Sequence, residues 1–372
     1  MLNRFDDYPI HQTPEPLGHP SSGDRNFYDR YFLNGFTRSG DAFFAAALGL
    51  YPNRRVMDAA VSVVHDGTQH VVRASRLAPL DRGETRVGPI SIEIREPMRS
   101  LVLRVDPNDF GLEAELEFRA RTAAVEEPRF TYRSDGRTWF DATRFTQFGG
   151  VEGWLDVAGA RISLDAGDTC ATRDRSWGVR PVGEREAAAP GPPPQFFWLW
   201  APLQFDDLCT HFAVNEDAEG RAWHASGCVV GLAKSEPELE PWCESTIERM
   251  RSVAHRVQWA PGTRRVQRAS LTLEPWRAEP HVVELEPILT FQMLGLGYTH
   301  PEWGHGMWKG ELAVDGESWS LAELDPMDLR HIHVQQLCRA RMGAREGMGV
   351  LEQLVIGPHA PSGFRGLLDP AS

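Results

Sequence analysis

The strongest candidate for acid chemistry in this sequence is Asp174. It lies in the segment 172–181, between Arg173 and Arg175 and three residues before Trp177. Flanking arginines favour an ionised carboxylate, whereas a tryptophan wall would desolvate the carboxylate and raise its pKa. A carboxyl group that keeps its proton near neutral pH can donate that proton to an alkene or a carbonyl group. We therefore predict that Asp174 is a general acid, with a structural ion-pair node as the alternative.

An aromatic segment that follows a proline-rich stretch could form the wall of a binding cavity. If residues 196–203 form a strand, Phe196, Trp198 and Trp200 share one face, and the opposite face is also apolar. A strand with two apolar faces is covered on both sides. The three rings, together with Trp177, are predicted to bind an apolar ligand, although an ordinary aromatic core strand would explain the same pattern.

The segment 295–310 concentrates histidine, tryptophan, tyrosine and glycine. Loops that position such residues often carry function. We predict that His305 or Tyr298 acts as an auxiliary base or orienting group, and that Trp303 contributes to the binding surface. The alternative is a tight turn, dictated by glycine, with exposed histidines.

Two groups of histidines could bind a metal ion. His300 and His305 flank Glu302, and His331 and His333 would share one face of a strand. Imidazole and carboxylate groups are ordinary ligands for zinc and iron. Because neither group has a third ligand at a fixed spacing, we predict that the protein binds no metal.

Several cofactor and catalytic motifs are missing from the sequence. It contains no P-loop, no strand-linked Gly-x-Gly-x-x-Gly, no Gly-x-Ser-x-Gly elbow and no His-Glu-x-x-His. The sequence therefore lacks the motifs that are typical of nucleotide-dependent enzymes, serine hydrolases and zincins. We predict an activity that uses no cofactor.

Composition narrows the classes of partner. The 372 residues carry a formal net charge of −13, which argues against nucleic acid and anionic membranes as partners. No apolar stretch approaches the roughly 20 residues that span a bilayer, and the N-terminus has no apolar run typical of a secretory signal. The five cysteines form no Cys-x-x-Cys pair, which favours free thiols in a reducing, cytoplasmic protein.

The dominant period of the sequence is two. Residues 112–120 read Leu-Glu-Ala-Glu-Leu-Glu-Phe-Arg-Ala, the alternation of a half-buried strand, and residues 90–95 and 101–106 repeat it. Turn dipeptides such as Asp-Gly and Pro-Gly separate such runs. No segment keeps a helical apolar period for three turns. The sequence therefore predicts an all-β, antiparallel fold.

A proline-rich segment suggests two domains. Residues 187–195 read Ala-Ala-Ala-Pro-Gly-Pro-Pro-Pro-Gln, which cannot continue a sheet because proline lacks the N–H for a ladder. We predict an extended arm over residues 1–25, β domains over 26–186 and 196–372, and a linker over 187–195. A long surface loop within one domain is the alternative.

The Asp-Arg-Ser-Trp-Gly strand end, the proline-rich linker and the Phe-Trp-Leu-Trp segment together resemble a known superfamily. It comprises hydroxyneurosporene synthase (carotenoid 1,2-hydratase), tocopherol cyclase and AttH-like proteins, and residues 30–64 and 295–366 resemble a bacterial branch of it. The resemblance implies two tandem lipocalin-like β-barrels packed together around an apolar cavity. It also implies cofactor-free chemistry on terpenoid-like molecules, or simple ligand binding.

Individual residues match the superfamily only in part. Asp174 matches the aspartate of the hydratases' Tyr-x-Asp motif, whereas Thr172 stands at the tyrosine position. Residues 144–146, Arg-Phe-Thr, stand where the hydratases have His-x-Trp. The chemistry of this chain is therefore expected to differ from carotenoid hydration.

Two functional hypotheses follow. The first is a hydratase, cyclase or isomerase that acts on an apolar, terpenoid- or steroid-like small molecule, with Asp174 as the acid and the tryptophans stabilising positive charge. The second is a non-catalytic protein that sequesters a hydrophobic metabolite. A homodimer through the barrel edges or the arm is compatible with both.

Overall fold

The chain is built almost entirely from β-strands. The computed structural model describes residues 2–184 and 194–372. The strands in these residues are β1 (Phe27–Thr37), β2 (Ala42–Tyr51), β3 (Val56–His65), β4 (Thr68–Leu77), β5 (Arg86–Val87), β6 (Ile90–Glu96), β7 (Ser100–Val105), β8 (Leu112–Ala120), β9 (Val125–Glu126), β10 (Phe130–Ser134), β11 (Arg137–Val157), β12 (Ala160–Leu164), β13 (Thr169–Val179), β14 (Phe196–Phe205), β15 (Leu208–Glu216), β16 (Ala222–Gly231), β17 (Ile247–Arg249), β18 (Ser252–Trp259), β19 (Val266–Glu274), β20 (His281–Gln292), β21 (Leu312–Ser320), β22 (Val334–Met342) and β23 (Arg345–Ile356).

The helical segments are all short 3₁₀ turns. Those described span Arg4–Asp7, Pro52–Arg54, Glu236–Glu238, Glu244–Thr246, Met293–Leu296, Leu321–Glu323, Leu329–His331 and Ala360–Ser362. Among the described helices, none is long and apolar enough to cross a membrane. The five cysteines are free thiols, as the absence of a paired spacing predicted.

Two antiparallel sheets contain all of these strands. In the described residues the first sheet has 14 strands, with the order β21-β4-β3-β2-β1-β13-β11-β8-β7-β6-β5 and with β9, β10 and β12 paired to β11. The second has nine, with the order β17-β16-β15-β14-β23-β22-β20-β19-β18. Both sheets curl around their own apolar side chains. The prediction of an all-β, tandem lipocalin-like fold is confirmed.

One strand crosses between the two halves of the sequence. β21 belongs to the second half, yet it pairs along its full length with β4 at the edge of the first sheet. The predicted linker lies largely outside the described residues, since residues 185–193 are not described. The proposed division at 186 and 196 remains a prediction, and β21 ties the second half to the first sheet.

The two sheets pack against each other through a cluster of large side chains. On β14, Phe197 and Leu199 point into the core of the second sheet, whereas Trp198 and Trp200 point toward the first sheet. Trp200 meets Phe32 of β1 edge to face, with ring centroids 6.4 Å apart. The strand is therefore buried on both faces, as its sequence predicted.

We expect Phe43→Leu to lower the free energy of unfolding by about 1–2 kcal/mol. Phe43 is fully buried in this inter-sheet cluster and its ring centroid lies 5.0 Å from that of Phe291. The partial truncation costs less than the roughly 3–5 kcal/mol of a full Phe→Ala change. Urea denaturation measures the change, and Phe110→Leu, at a half-exposed turn position, should stay within about 0.5 kcal/mol of the parent. Equal midpoints for both variants would contradict packing of the sheets through Phe43.

Candidate active site

A cavity of about 550 Å³ lies between the two sheets. Its walls come from β1, β11 and β13 of the first sheet, from β14, β16 and β23 of the second, and from the loop that follows the 3₁₀ turn Met293–Leu296. A volume of this size holds a drug-sized molecule. The site is therefore assembled from segments far apart in sequence.

Strand alternation selects the side chains that reach the cavity from the first sheet. Tyr28, Arg30 and Phe32 of β1 line it, as do Asp174 and Ser176 of β13. In the register of these strands, Phe32 is opposite Asp174 and Arg30 is opposite Ser176. The side-chain period of two thus places a cation and a carboxyl group on the same cavity face.

Asp174 is a cavity-facing carboxyl group without a direct partner. Within residues 2–184 and 194–372, no side chain or backbone group forms a hydrogen bond or ion pair with its carboxylate. Burial raises the pKa of Asp174 to about 6, and the charges of Arg144 and Arg30 lower it by less than burial raises it. Roughly a tenth of the group is therefore protonated at pH 7, far more than for an ordinary aspartate.

Beside Asp174 lies an ion pair between a buried carboxylate and a partly buried arginine. Arg144 of β11 donates from Nε to Oε1 of Glu127 at 2.9 Å, and Thr146 donates its hydroxyl to the same oxygen at 2.7 Å. Burial would raise the pKa of Glu127, but Arg144 and His211 hold it well below its usual range. The Arg144 guanidinium also lies 5.1 Å from the ring centroid of Trp198. The pair fixes a positive charge at the wall and leaves Glu127 ionised.

The second sheet contributes another ionised carboxylate. Glu352 of β23 accepts hydrogen bonds from Nε2 of His333 at 2.8 Å, from Nε1 of Trp198 at 3.2 Å and from the amide of Gln335 at 2.8 Å. Burial raises the pKa of Glu352, but these donors, His333 first, bring it below its usual value. Glu352 is therefore already satisfied, unlike Asp174.

His305 and Tyr298 lie at the cavity wall between two arginines. Arg30 donates from Nη1 to the Tyr298 hydroxyl at 2.5 Å, and Arg180 donates from Nη2 to Nδ1 of His305 at 3.1 Å. Nε2 of His305 is 2.8 Å from the carbonyl oxygen of Leu296. Since a carbonyl oxygen can only accept, Nε2 carries the hydrogen. Both ring nitrogens of His305 are thus occupied, and its geometry suits positioning of Arg180 better than removal of a proton from a ligand.

We expect His305 to stay neutral in the folded protein at a pH at which its ring is already protonated in the unfolded chain. Burial, with the charges of Arg30 and Arg180, holds the pKa of His305 well below its usual range. Two-dimensional ¹H–¹⁵N spectra of the imidazole nitrogens should show the Nε2–H tautomer, and the urea-unfolded chain, where the ordinary value near 6.5 applies, supplies the reference. Protonation of the folded-state ring above pH 6 would contradict this arrangement.

Trp177 lies outside the cavity, contrary to the prediction. It would reach the site of Asp174 only if the strand ended in a turn, but β13 continues to Val179. Side chains three residues apart in a strand point to opposite faces, and Trp177 is 39% exposed. Gly178 lets the strand continue, because its φ is +135° and a Cβ there would lie 2.2 Å from the carbonyl oxygen of Asp141.

The other predicted aromatic residues divide between cavity and core. Phe196 and Trp198 line the cavity. Trp200, two residues further along β14, is buried in the inter-sheet cluster and does not line it. Trp303 lies beside a separate small pocket, with the Arg73 guanidinium 5.3 Å from its ring centroid. Phe130 and Phe140 supply much of the apolar wall instead.

The histidines considered as metal ligands are held by other contacts. His300 lies 3.3 Å from Glu317, His331 contacts the carbonyl oxygen of Asp325 at 2.9 Å, and His333 donates to Glu352. Within the described ranges, no group of three or more His, Cys, Asp or Glu side chains is arranged to hold a metal ion. The two proposed pairs therefore do not form shared sites in this structure.

Sequence reasoning missed most of the charged residues of the cavity. Arg30, Arg144, Arg180, Glu127 and Glu352 all line it. A signal existed for Arg30, because Tyr28, Arg30 and Phe32 alternate on one face of a strand and an arginine on an aromatic face is unusual. Glu127 and Glu352 carry no comparable local signal, since their partners lie on other strands.

Comparison with protein families assigns nearly the whole chain to one family. Residues 2–365 match the model of a family of unknown function, DUF8625. The chain belongs to this family. A search of curated proteins found no match for this DUF8625 member.

Solved structures resemble this DUF8625 member in fold. A proposed AttH protein from Nitrosomonas europaea is 11% identical, with a TM-score of 0.53, and the match covers 88% of this chain and 92% of that one. Kievitone hydratase from Nectria haematococca is 14% identical, with a TM-score of 0.49 and 88% of each chain covered. CghA is 10% identical, with a TM-score of 0.46, covering 89% and 88%. At these identities the likeness concerns the fold alone.

Proposed function

We propose that this protein is a general acid–base enzyme of the hydratase or cyclase type that acts on a largely apolar small molecule in the inter-sheet cavity. The observation that carries the proposal is Asp174, a carboxyl group with a pKa of about 6 that faces the cavity and has no hydrogen-bond partner among the described residues. Perturbed acids of this kind are concentrated at functional sites. Asp174 is the group from which a ligand would take a proton.

In the proposed reaction Asp174 donates one proton to the ligand and later accepts one proton back. Asp174 gives its proton to one carbon of an alkene, and the other carbon becomes electron-deficient. A water molecule or a hydroxyl group of the same ligand forms the new C–O bond and releases its own proton to the Asp174 carboxylate. The acid is regenerated, and the product is either a hydrated alkene or a ring.

The surroundings of Asp174 favour this step. The aromatic side chains of Phe130, Phe140 and Phe196 line the cavity, where a ring can stabilise an electron-deficient carbon by cation–π attraction. Arg144 keeps Glu127 ionised, so that carboxylate does not compete as a proton donor. Asp174 is therefore the carboxyl group of the cavity that is suited to act as the acid.

The experiment is a product screen in D₂O with a panel of terpenoid and prenylated aromatic alkenes. Mass spectrometry should detect a gain of one molecule of water, or deuterium on carbon without such a gain when the product is a ring. Asp174→Asn should reduce turnover at least about 100-fold, in the range by which general acids accelerate reactions, while binding stays within about tenfold. Asp109→Asn, at an exposed position, serves as the matched control.

Two results would contradict the proposal that the protein is an enzyme. An Asp174→Asn variant with full turnover would remove Asp174 as the acid. A ligand that co-purifies and is recovered unchanged, with no product from any alkene of the panel, would favour the alternative of a binding protein.

A further inference from the structure

Arg30, which is buried, and Arg180, which is partly buried, form a pair of cations at the cavity wall. Arg30 is 2% exposed, and its acceptor in the described part of the chain is the Tyr298 hydroxyl. Arg180 donates to His305. Neither guanidinium has a carboxylate within ion-pair distance among residues 2–184 and 194–372, whereas Arg144 and Arg264 each have one and Arg73 has two.

The donors of the two arginines exceed the acceptors available to them. A guanidinium carries five N–H groups, and among the described residues Nε of both Arg30 and Arg180 has no hydrogen-bond partner. Nη2 of Arg30 is 3.1 Å from Nε2 of His305, but that nitrogen already donates to Leu296, so the contact joins two donors. Buried donors without acceptors are costly. The pair is therefore incomplete without a further acceptor.

Asp58 is a carboxyl group near this pair, since the charges of Arg30 and Arg180 both act to lower its pKa, which burial raises to about 6. Asp58 accepts hydrogen bonds from the Gly306 amide at 2.7 Å and the Tyr51 hydroxyl at 3.2 Å, and contacts neither arginine directly. Asp174, on the same cavity face as Arg30, also forms no direct contact with either guanidinium, so the free donors of the pair remain open to an anionic ligand.

We propose that Arg30 and Arg180 form a subsite for the carboxylate of an amphiphilic ligand whose apolar body lies against Phe130, Phe140 and Phe196. Both guanidiniums and all three rings line the same cavity. A planar carboxylate matches the forked donors of arginine, and His305, held neutral, orients Arg180. The inference rests on the proposed function only in taking this ligand to be the substrate.

A matched pair of fluorescent probes tests the subsite: 4-(1-pyrenyl)butyrate and 4-(1-pyrenyl)butanol, which differ in the anionic group. In titrations at pH 7.5, the native protein should bind the acid at least about tenfold more tightly than the alcohol, a difference of about 1.4 kcal/mol. Arg30→Met and Arg180→Met should each reduce this preference to about twofold or less. Arg268→Met, at an exposed position on β19, should keep it in full.

A further variant distinguishes loss of the subsite from a folding defect. Arg30→Lys keeps the charge and should retain part of the preference, and thermal unfolding checks that each variant is folded. Equal affinities of the native protein for the acid and the alcohol would overturn the subsite while leaving an apolar cavity and the role of Asp174 intact. If the native protein prefers the acid probe but the Asp174→Asn variant keeps full turnover, the proposed function is wrong and the subsite stands. Failure of both probes to bind, or displacement of the acid by millimolar inorganic phosphate, would also overturn the amphiphile subsite.

Discussion

Asp174→Asn is expected to make the protein more stable at pH 8, by on the order of 1–3 kcal/mol. Burial raises the pKa of Asp174 from 3.8 to about 6. The stabilising contribution of a raised carboxyl pKa is fully present below the unfolded value and is lost as the pH rises through the folded value. At pH 8 the native protein therefore carries an unfavourable buried charge, which asparagine removes while keeping the shape of the side chain.

Urea denaturation at pH 4, 6 and 8 measures this effect. The advantage of Asp174→Asn should be largest at pH 8 and should shrink toward pH 4, while Asp109→Asn should show no such trend. A variant that is less stable than the native protein at every pH would support the alternative of an ion-pair node. This test needs no substrate, and it examines the same protonation state on which the proposed chemistry depends.

Glu127→Gln is expected to cost about 3 kcal/mol, at the lower end of the range for a buried pair, because it leaves the partly buried Arg144 guanidinium without its ion-pair partner. The pKa of Glu127 lies well below its usual range. Its contribution is thus present above the unfolded value of about 4.5 and is lost as the pH falls through the lower folded value. The difference between parent and variant should narrow in acid.

A double variant measures how much of the lost stability comes from the ion pair between Glu127 and Arg144. Adding Arg144→Met to Glu127→Gln removes the orphaned charge and should recover a large part of the lost stability. Glu346→Gln, at an exposed position on β23, should leave the unfolding midpoint unchanged. Strictly additive losses in the double variant would show that the two side chains do not stabilise each other.

The local features of the fold could be predicted from the sequence, because strand alternation is a short-range property. The two buried faces of β14 and the cavity-facing carboxyl of Asp174 follow from this pattern. The mistake at Trp177 has the same origin: Gly178 and Pro181 suggested a turn, but the glycine lets β13 continue. A glycine can either end a strand or allow close approach of a neighbour, and sequence alone does not distinguish the two.

The charged part of the site depends on contacts that no local pattern encodes. Arg144 pairs with Glu127 across the first sheet, and Glu352 meets His333 and Trp198 within the second. Arg30 and His305 come together only because the loop after Met293–Leu296 lies against β1. Such pairings are set by sheet register and by packing between sheets, so they became visible only in three dimensions.

The pairing of β21 with β4 has a consequence for the order of events during synthesis. The first sheet lacks its edge strand until residues 312–320 have left the ribosome. Until then the N–H and C=O groups along Thr68–Leu77 form an open edge, the kind of surface on which chains aggregate. A nascent chain stalled near the proline-rich segment, or a gene fragment that ends there, would keep this edge exposed. Completion of the first sheet is therefore coupled to synthesis of the second half.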